Sequence, residues 1–485
     1  MARIMRLSRV IVLLAASVLA SCAVGPNFKR PAPPDSPDYG TASAPIAGTT
    51  QQWKPGQDIP ADWWTVFQSP QLNELITAAM TGNPDVHAAE AALRQAHELY
   101  AAQRTTLWPT AQGSFNGTRS QFAPGTLTSP TVAPSPTYNL YTATLNVSYV
   151  PDVFGGVRRA IEASHAQEQV TQFQLEAAYL TLTSNVVVTA IQEASLRGQV
   201  AATERLLELQ KQVTAKVRGQ QALGTASKLD LLVQQSVEAQ TAATLPPLRK
   251  QLSQTRDALT ALLGRLPADE PTEAFQLDEL TLPTDLPVSL PSKLVEQRPD
   301  VRQAEANMHV ASAEVGVSVA NMLPQFLISA DLGSQALRLS DLFKTGTGFW
   351  DAGASLTQTL FDAGALIHKH RAAEAALDQA ADQYRSAVIL AFQNVADTLH
   401  ALQIDAAAVE ANAAAELAAR SAFELAQKQQ QLGTVNLLAV LTAETAYQQA
   451  TVSLIQARAN QYSDTAALFQ ALGGGWWNRP RGRIS

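Results

Sequence analysis

Cysteine is nearly missing from this chain: its 485 residues hold one, Cys22. That excludes a disulfide framework and any cysteine-rich zinc or iron–sulfur site. Seven histidines are scattered. The one close pair, His368 and His370, stands at i and i+2, which point apart on a helix and make no metal pair. Charge is sparse, at 16% of residues against roughly 25% in ordinary soluble domains. An excess of positive charge is missing too: 35 Lys and Arg face 42 Asp and Glu, a net −7. A polyanion wants the reverse, so nucleic acid is no partner. No apolar run reaches the roughly 18 residues of a membrane-crossing helix. Proline is missing between Pro151 and Pro246 and between Pro324 and Pro480. No nucleophile–base pair, phosphate loop or paired carboxylates stand out, so the sequence reads as no enzyme, with no cofactor and no metal.

Alanine is what the chain has instead, at roughly one residue in six. It is the best helix former and lets helices approach closely. The proline-free stretches therefore predict very long helices, since proline breaks helix interiors. Residues 1–21 read as a signal peptide, with Arg3, Arg6 and Arg9 ahead of a short apolar core from Val10 to Ala20. Removing them takes the net charge from −7 to −10. Leu19-Ala20-Ser21-Cys22 is similar to a bacterial lipoprotein box, which makes Cys22 the expected lipidation site. Ala23 in place of an aspartate implies sorting to the outer membrane. One acyl chain anchors only marginally, so further chains or contacts are expected.

The chain repeats itself. Pro84-Asp85-Val86 recurs as Pro299-Asp300-Val301, and Pro109 matches Pro324, at an offset of 215. Gly155 matches Gly364, Gly224-Thr225 matches Gly433-Thr434, and Leu263-Gly264 matches Leu472-Gly473, at an offset of 209. The six-residue difference falls in one connection between Pro109 and Gly155. Two copies of this length mean a duplicated unit, not a short-repeat solenoid.

Each unit predicts the same parts. A helix spans about 71–107 and again 292–322. Strand-like stretches follow, with period-two alternation clearest over 140–150, 326–332 and 349–360. Their length suits a tilted membrane strand; the alternative is a small soluble sheet packed on helices. A helix from about 156 to 222 would be about 100 Å long. It turns at Leu223-Gly224-Thr225 and returns from Ser227 to Leu263-Gly264, interrupted at Pro246-Pro247. The second unit repeats this from Ala365 through Leu432-Gly433-Thr434 to Leu472-Gly473. Asp152 and Asp362, at equivalent strand-to-helix junctions, suit helix capping. Trp476-Trp477 with Arg479, Arg481 and Arg483 suits a membrane-interface belt or a loosely packed tail.

Four strands cannot close a barrel, and an open edge cannot sit in lipid. If these strands span a membrane, chains must assemble, with the long hairpins continuing the tube on one side.

The chain resembles the bacterial outer-membrane efflux factors, TolC-like, and specifically their OprM/NodT-type lipoprotein branch. The resemblance rests on Cys22-Ala23-Val24-Gly25-Pro26-Asn27-Phe28, Trp63-Trp64 with Phe67, Leu72 and Leu75, and Asn83-Pro84-Asp85. It continues through Pro151-Asp152-Val153-Phe154-Gly155, both Leu-Gly-Thr turns, Pro246-Pro247-Leu248, Leu262-Leu263-Gly264, Arg298-Pro299-Asp300-Val301 and Leu472-Gly473-Gly474-Gly475-Trp476. It implies a mainly α fold with a small β part: a duplicated unit of long antiparallel helical hairpins plus two strands. It also implies a homotrimer with a 12-stranded transmembrane β-barrel continued by a periplasmic α-helical barrel. The implied partners are outer-membrane lipid, a periplasmic membrane-fusion adaptor and an inner-membrane pump of the resistance-nodulation-division (RND) type. The implied function is the passive exit duct of a tripartite efflux pump for drugs or other small toxic compounds. The duct of a type I protein secretion system or of a metal-ion efflux system is the alternative.

The layout expected on this basis is a signal peptide (1–21) and a lipidated extended segment (22–66). A first repeat (67–266), a linker (267–291), a second repeat (292–473) and a tail (474–485) follow. The resemblance also implies a periplasmic pore constriction of leucine and aspartate. Leu438 matches the leucine, while Thr442 replaces the acid. Either Glu444, two residues on, takes part after local twist, or Leu438 forms a purely apolar constriction; Leu438 and Leu441 as plain packing residues is the third reading. Asp230 lines the pore or is a solvated charge. Gly224, Thr225, Gly433 and Thr434 form the hairpin tips, and adaptor contact there is implied by the resemblance.

Overall fold

The computed structural model describes residues 23–36, 38–40, 51–121, 137–270 and 276–479. The leader, Cys22, Arg481 and Arg483 lie outside the described residues. In chain order the elements are β1 (Gln52–Pro55), α1 (Pro70–Gly82), α2 (Pro84–Thr105), β2 (Thr110–Gln121), β3 (Thr137–Tyr149), α3 (Gly156–Ala222) and α4 (Lys228–Leu262). Then come β4 (Asp285–Val288), α5 (Pro291–Gln297), α6 (Pro299–Asn321), β5 (Gln325–Ala336), β6 (Gly348–Thr357), α7 (Ala365–Gln431) and α8 (Leu437–Ala471). The duplication holds element by element: α3 and α7 have 67 residues each, α4 and α8 have 35 each.

Two helix predictions need correction. The stretch 71–107 is two helices, α1 and α2, and 292–322 is likewise α5 and α6. The residue before a proline is pushed out of the helical region. Asn83 accordingly sits at φ −75°, ψ 121°, and Arg298 at φ −82°, ψ 124°. Asn83 then caps α2, its Oδ1 accepting from the Asp85 amide at 2.8 Å. The predicted interruption at Pro246-Pro247 is absent, and α4 runs through both prolines. Their rings remove the amide donors owed to Ala242 and Ala243. Leu245, beside them, is buried.

The chain divides into two compact units. The first takes residues up to 30, 94–170 and 305–383. Its antiparallel sheet has the order β2-β3-β5-β6. Tyr141 pairs with Ala336 and Tyr149 with Ile328, which fixes the register between the two repeats. Alternation along these strands sorts residues onto two faces. One carries Phe115, Leu145, Leu332, Trp350 and Leu356. The other carries Gln112, Asn146, Asp331 and Asp351, which the register sets side by side across all four strands. Asn146 Nδ2 donates to Asp331 Oδ1 at 2.9 Å. Among the described residues, strands β2 and β6 each have one unpaired edge in the single chain. The predicted caps are present: Asp152 Oδ1 accepts from the Val157 amide at 2.9 Å, and Asp362 Oδ2 from the Leu366 amide at 2.8 Å.

The second unit takes residues 31–93, 171–304 and 384–485. Its core gathers Trp63, Phe67, Leu72, Ile76, Ile191, Leu263, Leu294, Leu399 and Phe469, each under 2% exposed. Trp63 stacks on Phe469 with ring centroids 5.4 Å apart. Burying a side chain of this size contributes roughly 1.5–3 kcal/mol. A two-stranded parallel sheet, β1 with β4, pairs Gln52 with Asp285 through to Pro55 with Val288. The sequence reading missed it, because four-residue strands containing proline show no period-two pattern. The tail is not loose as far as it is described. Trp476 Nε1 donates to the Gln297 carbonyl at 2.6 Å, and its ring meets Phe173 edge-on at 5.8 Å. Arg479 pairs with Glu176 at 3.0 Å and lies over the Tyr179 ring.

Among the described residues, no helix is long and apolar enough to cross a membrane.

Candidate functional site

The two hairpin tips are built alike. Gly224 at φ +76° and Gly433 at φ +73° take the left-handed conformation that ends α3 and α7. The Thr225 amide donates to the Gln220 carbonyl at 2.9 Å, and the Gly224 amide to Gln221 at 3.0 Å. This pair of bonds is the Schellman motif, which satisfies the free carbonyls of a helix end. The Thr225 hydroxyl adds a third bond, again to the Gln220 carbonyl, at 3.0 Å. Thr434 repeats it to Gln429 at 2.9 Å. Each tip therefore needs its glycine for backbone conformation and its threonine for the extra bond. Nothing lies within 4 Å of a Cβ placed on either glycine. Leu223 and Leu432 stand beside them, 82% and 78% exposed.

Past each tip a capped helix begins. Ser227 and Asp230 form a reciprocal capping box at the start of α4. The Ser227 amide donates to Asp230 Oδ2 at 2.9 Å, and its Oγ accepts from the Asp230 amide at 3.1 Å. The Ser227 hydroxyl, donating to Asp230 Oδ2 at 2.7 Å, and then the Ser227 amide hold the Asp230 carboxyl below the usual carboxylate range. Asp230 is thus an exposed capping residue. In the second hairpin Asn436 caps α8 alone, accepting from the Ala439 amide at 3.0 Å.

The constriction candidates on α8 separate onto two faces. Leu438 is 58% exposed. Thr442, one turn on, is exposed too, and its hydroxyl donates to the Leu438 carbonyl at 2.9 Å. Glu444 is 2% exposed, on the buried face with Val440, Leu441 and Gln448. Within the single chain Glu444 therefore faces away from Leu438 and Thr442. At 100° per residue, position 444 lies some 200° round from 442. Among the described residues Glu444 Oε1 has no hydrogen-bond partner, and burial raises the carboxyl's pKa to about 7. Within the single chain Leu441 is buried and Leu438 is exposed.

The sequence reading also missed the seat of the segment that follows Cys22. Arg159, in the first turn of α3, is 4% exposed. Its guanidinium donates to the Val24 carbonyl at 3.1 Å, to Asn27 Oδ1 at 2.7 Å and to Glu162 Oε2 at 2.7 Å. Glu162 also bonds His309 of α6 at 2.9 Å, and Phe28 stacks on His309 with centroids 4.3 Å apart. The Val24 amide donates to the Phe154 carbonyl at 3.0 Å. A Cβ on Gly25 would strike the Gly316 Cα, and one on Gly316 would strike the Arg159 side chain. One signal was available: Arg158-Arg159 place two cations at a helix N-terminus, where the dipole disfavours them unless each has a partner. Arg158 has Asp152 at 3.0 Å.

The sequence profile of the family described as "Outer membrane efflux protein" matches residues 75–265 and 290–474. The chain is 30% identical over 467 residues to the pyoverdine export outer membrane protein OpmQ of Pseudomonas putida, covering 96% of both chains. It is 28% identical over 472 residues to the toluene efflux pump outer membrane protein TtgF of Pseudomonas putida, covering 95% of both. Among solved structures, the outer-membrane channel OprN superposes with a TM-score of 0.83 at 27% identity, over 94% of this chain and 100% of that one. The Campylobacter jejuni CmeC outer membrane channel gives 0.86 at 22% identity, over 94% and 95%.

Proposed function

The chain belongs to the outer membrane efflux protein family, and we propose that three copies of it close into one exit duct with an apolar outside and a polar lumen. It is the outer-membrane channel component of an efflux pump, a transport duct and not an enzyme. The observation that carries the proposal is the four-stranded sheet with two unpaired edges. Its four strands alternate in direction, so β6 of one copy runs antiparallel to β2 of the next. Three copies supply twelve strands, an even number as antiparallel closure requires. The face with Phe115, Leu332, Trp350 and Leu356 then meets lipid, and the face with Gln112, Asn146, Asp331 and Asp351 lines water.

Lipidation of Cys22 completes this reading. The seat that Arg159, Glu162 and His309 make for residues 24–28 would hold the anchor beside the junction after β3. The tips at Gly224-Thr225 and Gly433-Thr434 are the surfaces for a periplasmic adaptor, behind which an inner-membrane RND-type pump supplies the energy. Leu438 and Thr442, on the exposed face of α8, form the periplasmic constriction, with Asp230 left as a cap. The cargo is small-molecule, as the names of the pyoverdine and toluene relatives suggest for them; its identity rests with the pump.

The test is the mass and shape of the detergent-extracted protein by light scattering and negative-stain imaging. Trimeric rods well over 100 Å long, with detergent at one end, support the duct; the length scale follows from the 67-residue helices. A detergent-free monomer overturns it.

A further inference from the structure

Ala23, the first of the described residues, is seated on the turn that leads into α3. A Cβ on Gly155 would strike the Ala23 Cα, and the Val24 amide donates to the Phe154 carbonyl at 3.0 Å. Phe154 and Gly156, on either side of Gly155, both line a groove of about 330 Å³. Cys22 stands one Cα step of about 3.8 Å before Ala23, so a group attached to it starts beside this groove. Val150, Val153, Phe154 and Val157 form one part of the wall, and Val317 of α6 and Phe326 of β5 another. The Phe154 and Phe326 rings meet with centroids 6.3 Å apart. Polar groups line the groove too, and most are engaged. Asp152 accepts from the Val157 and Arg158 amides, each at 2.9 Å. Gln325 Nε2 donates to the Ala320 and Leu323 carbonyls at 3.0 and 2.9 Å. The Thr106 hydroxyl donates to the Gln103 carbonyl at 2.7 Å. Asn321 and the Gln103 side chain complete the polar part. Val150, by contrast, is 42% exposed, an apolar side chain with its cover still to be supplied.

We propose that one acyl chain carried by Cys22 lies in this groove instead of in the bilayer. The inference rests on the lipidation of Cys22 put forward above and names where the chain goes. An apolar cavity of about 150 Å³ holds the six carbons of benzene, so 330 Å³ has room for roughly a dozen methylenes. A tail from any nearby lipid offers the same methylenes. The tethered chain wins by effective concentration, because its attachment point is already fixed at the rim by Ala23 and Val24. Chain and protein then hold each other: the seat at Arg159 places the lipid, and the lipid in its groove adds a contact to an anchor that a single chain in bilayer makes only marginally.

The test uses the full-length protein, made in bacteria fed a fatty acid with a mid-chain diazirine. Mass spectrometry of the 22–29 peptide first reads the acyl chains on Cys22. Intact membranes are then irradiated, and peptides joined to 22–29 are sequenced. The expected result is adducts within 150–160 and 317–326. Ala160→Trp, which sets a large side chain into the groove, is expected to lose those adducts while Cys22 stays acylated and the helical circular dichroism is kept. Val317→Trp fills it from the opposite wall and serves if Ala160→Trp does not fold. Adducts of acylated Cys22 to phospholipid alone overturn the inference and leave the anchor standing. So do adducts spread evenly over the apolar sheet face at Trp350 and Leu356. Wall adducts that persist with the groove filled overturn it as well, since nearness alone would give them. A Cys22 without acyl chains overturns the lipidation itself, and this inference with it.

Discussion

The guanidinium of Arg159 donates to the carbonyl of Val24 at 3.1 Å, two residues after Cys22. A buried arginine on α3 thus reads the backbone of the segment that would carry the lipid. The same guanidinium holds Asn27 and Glu162. Its fork geometry serves several acceptors at once, which a lysine ammonium does not reproduce. Arg159→Ala and Arg159→Lys are both expected to release residues 23–30. Limited proteolysis should then cut the segment rapidly, with a stability loss on the order of 2 kcal/mol in chemical unfolding for the alanine variant. Unchanged protection would mean that Phe28 on His309 suffices alone.

Gly224→Ala and Gly433→Ala place a Cβ in a left-handed conformation without any clash. The cost is purely that of the backbone, about 1–2 kcal/mol. Hydrogen exchange of the Thr225 and Thr434 amides should quicken accordingly, while core amides near Phe469 stay as they were. Thr225→Val removes one bond and should have the smaller effect.

The two faces of α8 predict opposite outcomes in planar bilayers. Leu438→Ala, on the exposed face, is expected to raise single-channel conductance. Glu444→Gln, on the buried face, is expected to leave it unchanged. A conductance change with Glu444→Gln and none with Leu438→Ala would reverse the assignment.

Glu444 also predicts a pH dependence. Burial raises its folded pKa to about 7, above the ordinary carboxylate value of 4.5. Between those values the folded chain binds more protons than the unfolded one, so this group's contribution to stability falls as pH rises. Glu444→Gln should flatten that slope and stabilise the protein at pH 8 by on the order of 2 kcal/mol. Denaturant midpoints at pH 5 and pH 8 read it directly. A steeper slope in the glutamine variant would contradict the assignment.

The long elements were legible because their causes are local. Proline-free alanine-rich stretches gave α3 and α7, and glycine at 224 and 433 gave their ends. Alternation gave β3, β5 and β6. What escaped depends on partners far along the chain. β1 and β4 are too short to show a period and exist through each other. The seat at Arg159 joins residues 24–28, 159–162 and 309. The burial of Glu444 needs the packing of α8, which spacing alone does not reveal. The proline errors ran both ways. Pro84 and Pro299 end helices through the residue before them, whereas Pro246 and Pro247 stay inside α4.

The register between β3 and β5 joins the first repeat to the second in the antiparallel sense that a closed ring requires between β6 and β2 of neighbouring copies. A chain with a single repeat would need six molecules to meet before its sheet closed. With two repeats, half of those junctions are made within one polypeptide, at an effective concentration no cell could reach by synthesis alone. Closure then scales with the third power of chain concentration instead of the sixth. For a protein that begins sparse in its compartment, duplication turns ring formation from a rare coincidence into a dilute-solution reaction.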